Sequence, residues 1–480
     1  MTPSIEVFQD EPIFESSLKS DSTIESVRKL SVSVNKAAVL RASVVAEISS
    51  SSSSSKDQLA RELINRALVN HISGIDHEEC EAGDEDSFFV CDLGEVYRSF
   101  GVWQQKLPQV QPHYAVKCNT NLEVIKLLAS LGVNFDCASK NEIDTILNLG
   151  ISPDRIVYAN PCKTNSFIRH ASKANVNLTT VDNAQELHKL KKFHPDCGIL
   201  IRLATDDETA QCRLSTKFGC TLSAAINELL PLAKELGLNV RGVAFHVGSG
   251  AKDFDSIYKA IRDSRDVFNR AITEYGFEMS ILDIGGGFEL ETFDESSSMV
   301  CSSLNKFFPA DFVSQNGIKF IAEPGRFMVS NAFTLAAHII ARRDLDLKAT
   351  FVSEEDKQVS AMVYINDGVY GNMNCILFDH QNPQAHVLQH KNKFFYHQDE
   401  ESDDQKLIDD DAKGEHHFSI WGPTCDGLDC VASKCTLSHD VEVGDWLYFP
   451  NLGAYTSAAT TAFNGLGGNS HIIYVCSEDL

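Results

Sequence analysis

The sequence predicts a mixed fold, an α/β (β/α)8 barrel joined to a second, all-β domain of sandwich-like character. Three observations carry this. Between residues 113 and 322, eight short apolar runs alternate with helical patterns, the rhythm of parallel strands joined by helices. After Arg326 that rhythm stops, and short apolar runs separated by turns take over. No glycine-rich loop follows the first strand, as it usually does in an open doubly wound sheet.

Taken in order, residues 1–56 are polar, with seven consecutive serines from Ser49 to Ser55, and are expected to be disordered. Glu6, Asp10, Glu11 and Glu15 argue against an organelle transit peptide, which is poor in acids. Residues 57–110 hold a helix at Gln58–Val69, an acidic loop at His77–Asp86, a strand at Ser87–Leu93 expected to join the β-domain, and a helix at Gly94–Lys106. The barrel is expected over 111–334. Its strands are Tyr114–Cys118, Asn134–Cys137, Ile156–Ala159, Leu178–Val181, Ile199–Leu203, Gly242–Val247, Ile281–Ile284 and Ile318–Ala322. Helical patterns between them include Leu122–Leu131, Glu142–Leu149, Ala184–Lys192, Leu222–Leu236 and Ser256–Tyr275. The β-domain is expected over 335–480, with runs at Ala361–Ile365, Asn374–Phe378, Phe418–Trp421, Trp446–Phe449 and His471–Val475. Within it, Asp399–Asp411 carries eight acids in thirteen residues, the pattern of a solvated loop.

The composition is that of an ordinary globular protein. A formal net charge of −25 argues against nucleic acid and against anionic membrane surfaces, and is compatible with a small cationic substrate. The 14 cysteines are scattered without a disulfide-framework spacing, so a reducing, cytoplasmic setting is expected. Cys425, Cys430 and Cys435 recur at five-residue steps, which is not a zinc pattern, and no metal is expected. No run of 18 apolar residues is present, so no membrane span is expected.

Barrel active sites form at the C-terminal ends of the strands. Those positions hold Lys117, Asp136, Asn160-Pro161, Arg202, His246, Gly285–Gly287 and Glu323-Pro-Gly325-Arg326. Lys117 ends an apolar strand, with Ala115 and His113 on its face. A strand-end lysine ordinarily reaches solvent. The sharper alternative is an amine of depressed pKa that forms an imine with a carbonyl cofactor. Asp136 and Arg202 could equally be a structural ion pair, and His246 a satisfied core histidine. The joint occurrence of these groups at strand ends favours a site. Gly286, Gly287, Gly325 and Arg326 follow strands seven and eight, where barrels commonly bind phosphate through bare backbone N–H groups. Ser249 adds a hydroxyl, and Tyr455 offers a second from the β-domain. A phosphate cradle opposite an imine-forming lysine suggests pyridoxal 5′-phosphate. Its pyridine nitrogen needs a carboxylate, for which Glu323 is placed, and His246 can lie flat against the ring. In the β-domain, Cys425 offers a thiol proton donor, and Asp426 and Asp379 can bind an ammonium group.

These stretches together resemble the eukaryotic ornithine decarboxylases, in the alanine-racemase-like, barrel-containing class of pyridoxal-phosphate enzymes. The resemblance runs from about Ser87 to Gly465. Its motifs, in order, are Tyr-Ala-Val-Lys117-Cys-Asn, Phe-Asp136-Cys-Ala-Ser-Lys, His246-Val-Gly-Ser-Gly, Asp-Ile-Gly-Gly-Gly287-Phe, Glu323-Pro-Gly-Arg, Phe-Asp379-His and Trp-Gly-Pro-Thr-Cys425-Asp426-Gly-Leu-Asp. It implies decarboxylation of L-ornithine to putrescine. Lys117 would bond the cofactor, Glu323 would contact its ring nitrogen, and His246 would stack on the ring. Ser249, Gly286, Gly287, Gly325, Arg326 and Tyr455 would hold the phosphate, with Asp136, Glu142 and Arg202 in support. Cys425 would protonate Cα, and Asp379 and Asp426 would bind the substrate's distal ammonium, beside Phe378 where many relatives carry Tyr. The resemblance also implies a homodimer with shared sites, Cys425 and Asp426 coming from the partner subunit, and an inter-subunit salt bridge from Lys217 to Asp429. The alternatives are a decarboxylase of lysine or arginine and a decarboxylase-like regulator that binds a partner. A distal carboxylate, as in diaminopimelate, would be repelled by Asp379 and Asp426.

Overall fold

The computed structural model describes residues 40–41, 44, 56–205, 214–248, 254–345, 359–397, 416–466 and 470–479. The Ser-rich run Ser49–Ser55, the acidic run 399–411 and Ser249 lie outside them. Strand β1 (Phe88–Asp92) precedes eight parallel strands that close into a barrel. These are β2 (Val110–Ala115), β3 (Asn134–Cys137), β4 (Ile156–Tyr158), β5 (Leu178–Val181), β6 (Gly198–Leu203), β7 (Asn239–Phe245), β8 (Ile281–Asp283) and β9 (Lys319–Ala322). Closure is direct: Val110, Gln111 and Pro112 of β2 register with Phe320, Ile321 and Ala322 of β9.

Strand periodicity sorts the barrel's side chains. Leu200, Ala244, Ile321 and Val157 form a small cluster of their own inside the barrel. Their neighbours in sequence, Ile199, Ile201, Val243, Phe245 and Phe320, join the large core beneath the helices. Helix starts follow the expected chemistry. Asn121, Ser139, Thr164 and Asn183 each cap a barrel helix by accepting a backbone N–H. The Glu142 carboxylate accepts from Ala138 N at 2.6 Å at the start of its helix, close enough to Asp136 and Lys117 to interact with both.

The second unit is a curled sheet, nine-stranded among the described residues. It comprises β1, β10 (Phe333–Asp344), β11 (Ala361–Ile365), β12 (His386–His390), β13 (Lys393–Phe394), β14 (His416–Trp421), β15 (Cys430–Leu437), β16 (Trp446–Phe449) and β17 (His471–Val475). Strand β10 is the spine. Its first half pairs with β1 and β16, and after an irregularity near Ile339–Ala341 its second half pairs with β11. The early strand β1 joins this sheet as expected, between β10 and β17. It is buried on both faces. Phe89 and Cys91 enter the core shared with the barrel, while Phe88 and Val90 pack with Leu63 and Leu68 of helix Lys56–Ile72.

Two expectations need correction. The first barrel strand ends at Ala115, and Lys117 sits beyond it in a 3-10 turn, Val116–Cys118. Ala115 N donates to Pro324 O at 3.1 Å, which turns the chain over the strand end rather than extending it. The run Asn374–Phe378 is not a strand but includes a short helix, Cys375–Phe378. Asn374 lies buried and donates to Gly371 O and Thr456 O, which holds the chain in a tight turn.

Candidate active site

The C-terminal ends of the barrel strands bring together most of the residues picked from the sequence. One cavity is lined by Ala115, Lys117, His246, Gly287, Phe288, Glu289, Glu323, Gly325, Arg326 and Tyr455. Lys117 Nζ donates to the buried Asp136 carboxylate, and Asp136 Oδ1 has no hydrogen-bond partner. The electrostatics overturn one expectation. Burial alone would pull the Lys117 pKa down, but the negative charges of Asp136 and Glu323 outweigh it and the net shift is upward. The amine is therefore held as an ammonium against Asp136, not as a depressed-pKa base.

Asp136, Asp283 and Glu323 lie close together in this buried space beside Lys117 and Arg202, and all three carboxyls are pushed toward their protonated forms. Burial, then Asp283 and Asp136, push the Glu323 carboxyl well above its ordinary range. Burial pushes Asp283 up to about 7. Asp283 Oδ1 accepts from Gly285 N at 2.9 Å, which turns the chain into the glycine loop.

His246 stands just past β7. Burial, Arg202 and Lys117 lower its pKa well below the usual range, so the imidazole is neutral. Gly248 N donates to Nδ1 at 3.0 Å, which leaves the proton on Nε2. Arg202, at the end of β6, lies with its guanidinium carbon 5.1 Å from the centre of the Phe218 ring.

The glycine loop is shaped by close approach. Gly287 has φ +97°, and a Cβ there would lie 2.2 Å from Gly248 O. A Cβ on Gly286 would lie 2.7 Å from Glu323 O and 2.8 Å from His246 Nε2. A side chain at Gly286 would press on His246 and the Glu323 carbonyl, and one at Gly287 on Gly248. Beneath the loop, Phe288 packs edge-on to Trp103 with ring centres 5.1 Å apart, and Phe293 meets Phe327 at 4.3 Å. Such aromatic pairs add about 0.5–1.5 kcal/mol each beyond their burial. They tie the loop after β8 to the short helix after β9.

That helix, Arg326–Val329, begins at Gly325. The Arg326 guanidinium pairs with Asp379 and lies 3.6 Å from Glu289, with its carbon 5.4 Å from the Tyr455 ring centre. Tyr455 is delivered by the sheet unit: its N–H donates to Cys118 O at 2.9 Å, and Asn119 Nδ2 donates to Gly453 O at 2.8 Å. Asp379 thus lies at the cleft, but as the partner of an arginine.

Three picks lie elsewhere. Cys425 and Asp426 sit on the turn between β14 and β15, outside the walls of this cavity. Cys425 is exposed, and its N–H donates to Asn464 Oδ1 at 3.0 Å. The Tyr370 hydroxyl donates to Asp426 and lowers its pKa. Phe378 is 64% exposed. Asp429, expected to meet Lys217 of a second subunit, is committed to contacts within its own chain. Asp429 is 1% exposed and accepts from Val369 N, Thr424 N and Thr424 Oγ1 of its own chain. Its carboxylate organises the Cys425 turn. The sequence analysis missed Asp283, Phe288 and Glu289. Asp283 carried a usable signal, a lone acid in an apolar strand like Asp136; Glu289 carried none.

A family model for the pyridoxal-binding domain of pyridoxal-dependent decarboxylases matches residues 93–330. An ornithine decarboxylase of Candida albicans is 62% identical over 426 residues, 88% of this chain and 90% of that protein. A Xenopus laevis protein, antizyme inhibitor 2, is 42% identical over 412 residues, 85% of this chain and 83% of that protein. Among solved structures, the arginine decarboxylase of Paramecium bursaria Chlorella virus superposes with a TM-score of 0.73 at 32% identity, covering 86% of this chain and all of that one.

Proposed function

The chain belongs to the pyridoxal-dependent decarboxylases, alongside the eukaryotic ornithine decarboxylases, and from that premise we propose that it converts L-ornithine to putrescine and carbon dioxide. The carrying observation is one cavity in which Lys117 and Glu323 face a glycine-and-arginine cradle.

The residues fit pyridoxal 5′-phosphate. The loop at Gly286 and Gly287 is kept free of side chains where a Cβ would collide, and Arg326 Nε has no hydrogen-bond partner of its own. Lys117 would bond the cofactor after passing its ammonium proton to the Asp136 carboxylate that accepts from it. Gly286, Gly287, Gly325, Arg326, Tyr455 and Ser249 would hold its phosphate. When bound, the cofactor supplies an electron sink for the pair left on Cα as carbon dioxide departs. Glu323 carries a raised pKa and so holds a proton that a ring nitrogen beside it can take. Neutral His246, with its proton on Nε2, offers a flat uncharged face to that ring. Asp136 and Arg202 set the charge balance: Asp136 draws the Lys117 amine to one side, and Arg202 offsets the surplus of carboxylates. A proton must then reach Cα, and the Sγ of Cys425 of the partner subunit supplies it. Asp379, with Asp426 of the partner subunit, would receive the distal ammonium beside Phe378. This reading makes the working enzyme a homodimer. Every described cysteine is a free thiol, which supports the reducing setting of the cytoplasm.

Chain length of the substrate is the finest distinction, since one methylene discriminates by only about 1–3 kcal/mol. The test is carbon dioxide release from ornithine, lysine and arginine at equal concentration. Ornithine should turn over fastest; equal or better turnover of lysine overturns the assignment. The similarity to antizyme inhibitor 2 favours a second reading, a binding protein without this activity. Lys117, Asp136, Arg202, Glu323, Arg326, Cys425 and Tyr455 are all present, which weighs against it. A colourless chain that releases no carbon dioxide from any of the three substrates would establish it.

A further inference from the structure

Outside the walls of the cleft, three side chains converge that the decarboxylation does not use. His77 and Glu85 come from the loop before β1, and His338 from the middle of β10. Their nearest donor atoms all lie within 4.8 Å of one another. His77 Nδ1 and the Glu85 carboxylate are already hydrogen-bonded. The His77 and His338 rings are 5.7 Å apart, centre to centre.

His338 is the independent clue. It is 7% exposed, yet neither ring nitrogen makes a hydrogen bond of normal geometry. The ring makes a loosely formed polar contact to the Gly444 backbone, and a buried imidazole without well-formed hydrogen bonds is costly. Its ring stacks on Trp446, with centres 4.8 Å apart and planes 19° from parallel, so it cannot simply swing toward water. The backbone around it is also pinned. Asn366 Oδ1 accepts from His338 N at 2.9 Å, while Asn366 Nδ2 donates to Glu85 O at 2.6 Å. One asparagine thus holds the loop and the strand in register.

We propose that His77, Glu85 and His338 form a binding site for a zinc-class divalent cation, which clamps the loop His77–Asp86 to strand β10. Two neutral imidazoles and one carboxylate, with water completing a tetrahedron, are a known zinc donor set. Bonds of about 2.0–2.1 Å place tetrahedral donors roughly 3.3 Å apart. The widest separation must therefore close by up to about 1.5 Å while the hydrogen-bonded His77 and Glu85 part slightly, movements open to these two side chains, which are 40% and 37% exposed. A carboxylate between two imidazoles leaves a local charge of about −1 to meet the dication.

The test uses the full-length holoenzyme, stripped with a chelator and titrated with Zn2+ by calorimetry, with Co2+ as a spectroscopic probe. The parent should bind one Zn2+ per chain at this site, give the visible absorption of tetrahedral Co2+, and melt at a higher temperature with the metal. His77→Ala and Glu85→Gln should each weaken that event by about a hundredfold or more and abolish the thermal shift, with decarboxylation unchanged. Zn2+ held by thiols elsewhere would persist in both variants. No binding to the parent, or parent-like binding by both variants, overturns the proposal and leaves His77 and Glu85 as a hydrogen-bonded pair.

Discussion

The Lys117 cluster and the Cys425–Asp429 turn differ in how much of their environment one chain supplies. At Lys117 the chain supplies all of it. Counter-charge, neutral histidine, glycine cradle and even a tyrosine from the second unit are in place. At Cys425 the turn is firmly built, with Asp429 buried beneath it accepting three hydrogen bonds, but its thiol faces outward. The difference teaches that buried, mutually perturbed charges mark a site the chain builds by itself, while an exposed thiol on a well-supported turn is available for the role proposed for it in a partner's site.

The largest expected effect breaks the first half. Lys117→Ala should abolish the visible absorbance of the bound cofactor and lower turnover on the order of a thousandfold or more. Retained absorbance and activity would remove Lys117 from the chemistry. The next sharpens the second half. Cys425→Ala should keep that absorbance yet lose about 10²–10⁴ in productive protonation, read as putrescine formed per carbon dioxide released and as rate. Mixing it with Lys117→Ala chains should restore about a quarter of the parental activity, because half of the dimers then carry one intact site. No recovery on mixing would mean that each chain uses its own Cys425.

The smallest effect probes the buried charges themselves. The folded pKa of Asp283, about 7, stands above its ordinary 3.8. The folded state therefore holds the extra proton between these values, and stability falls as pH rises from about 4 to about 7. Asp283→Asn removes that slope. Denaturant unfolding of cofactor-free protein should show the variant gaining on the parent across this window; parallel stability–pH curves would rule the effect out. The raised Glu323 pKa acts with the same sign.

Much of this was legible in the chain. Eight apolar runs at regular spacing can close only as a barrel, and polar residues at their ends are placed together by that closure. That is why Lys117, Asp136, Arg202, His246 and Glu323 were found without coordinates. Misassignments came where a contact distant in sequence overrode a local pattern. Lys117 looked like strand until Pro324 O captured Ala115 N, and Asn374–Phe378 looked like strand until Asn374 was drawn to Thr456 O.

The sequence by itself determined the alternation of strand and helix, the parity of each buried face, and the chemistry available at each strand end, because period and residue type are local properties. Only the tertiary structure decided the protonation state of Lys117, the neutrality of His246, the pairing of Arg326 with Asp379, and the meeting of His77, Glu85 and His338. Those depend on which charges share a buried space, and distance through space is not written in distance along the chain.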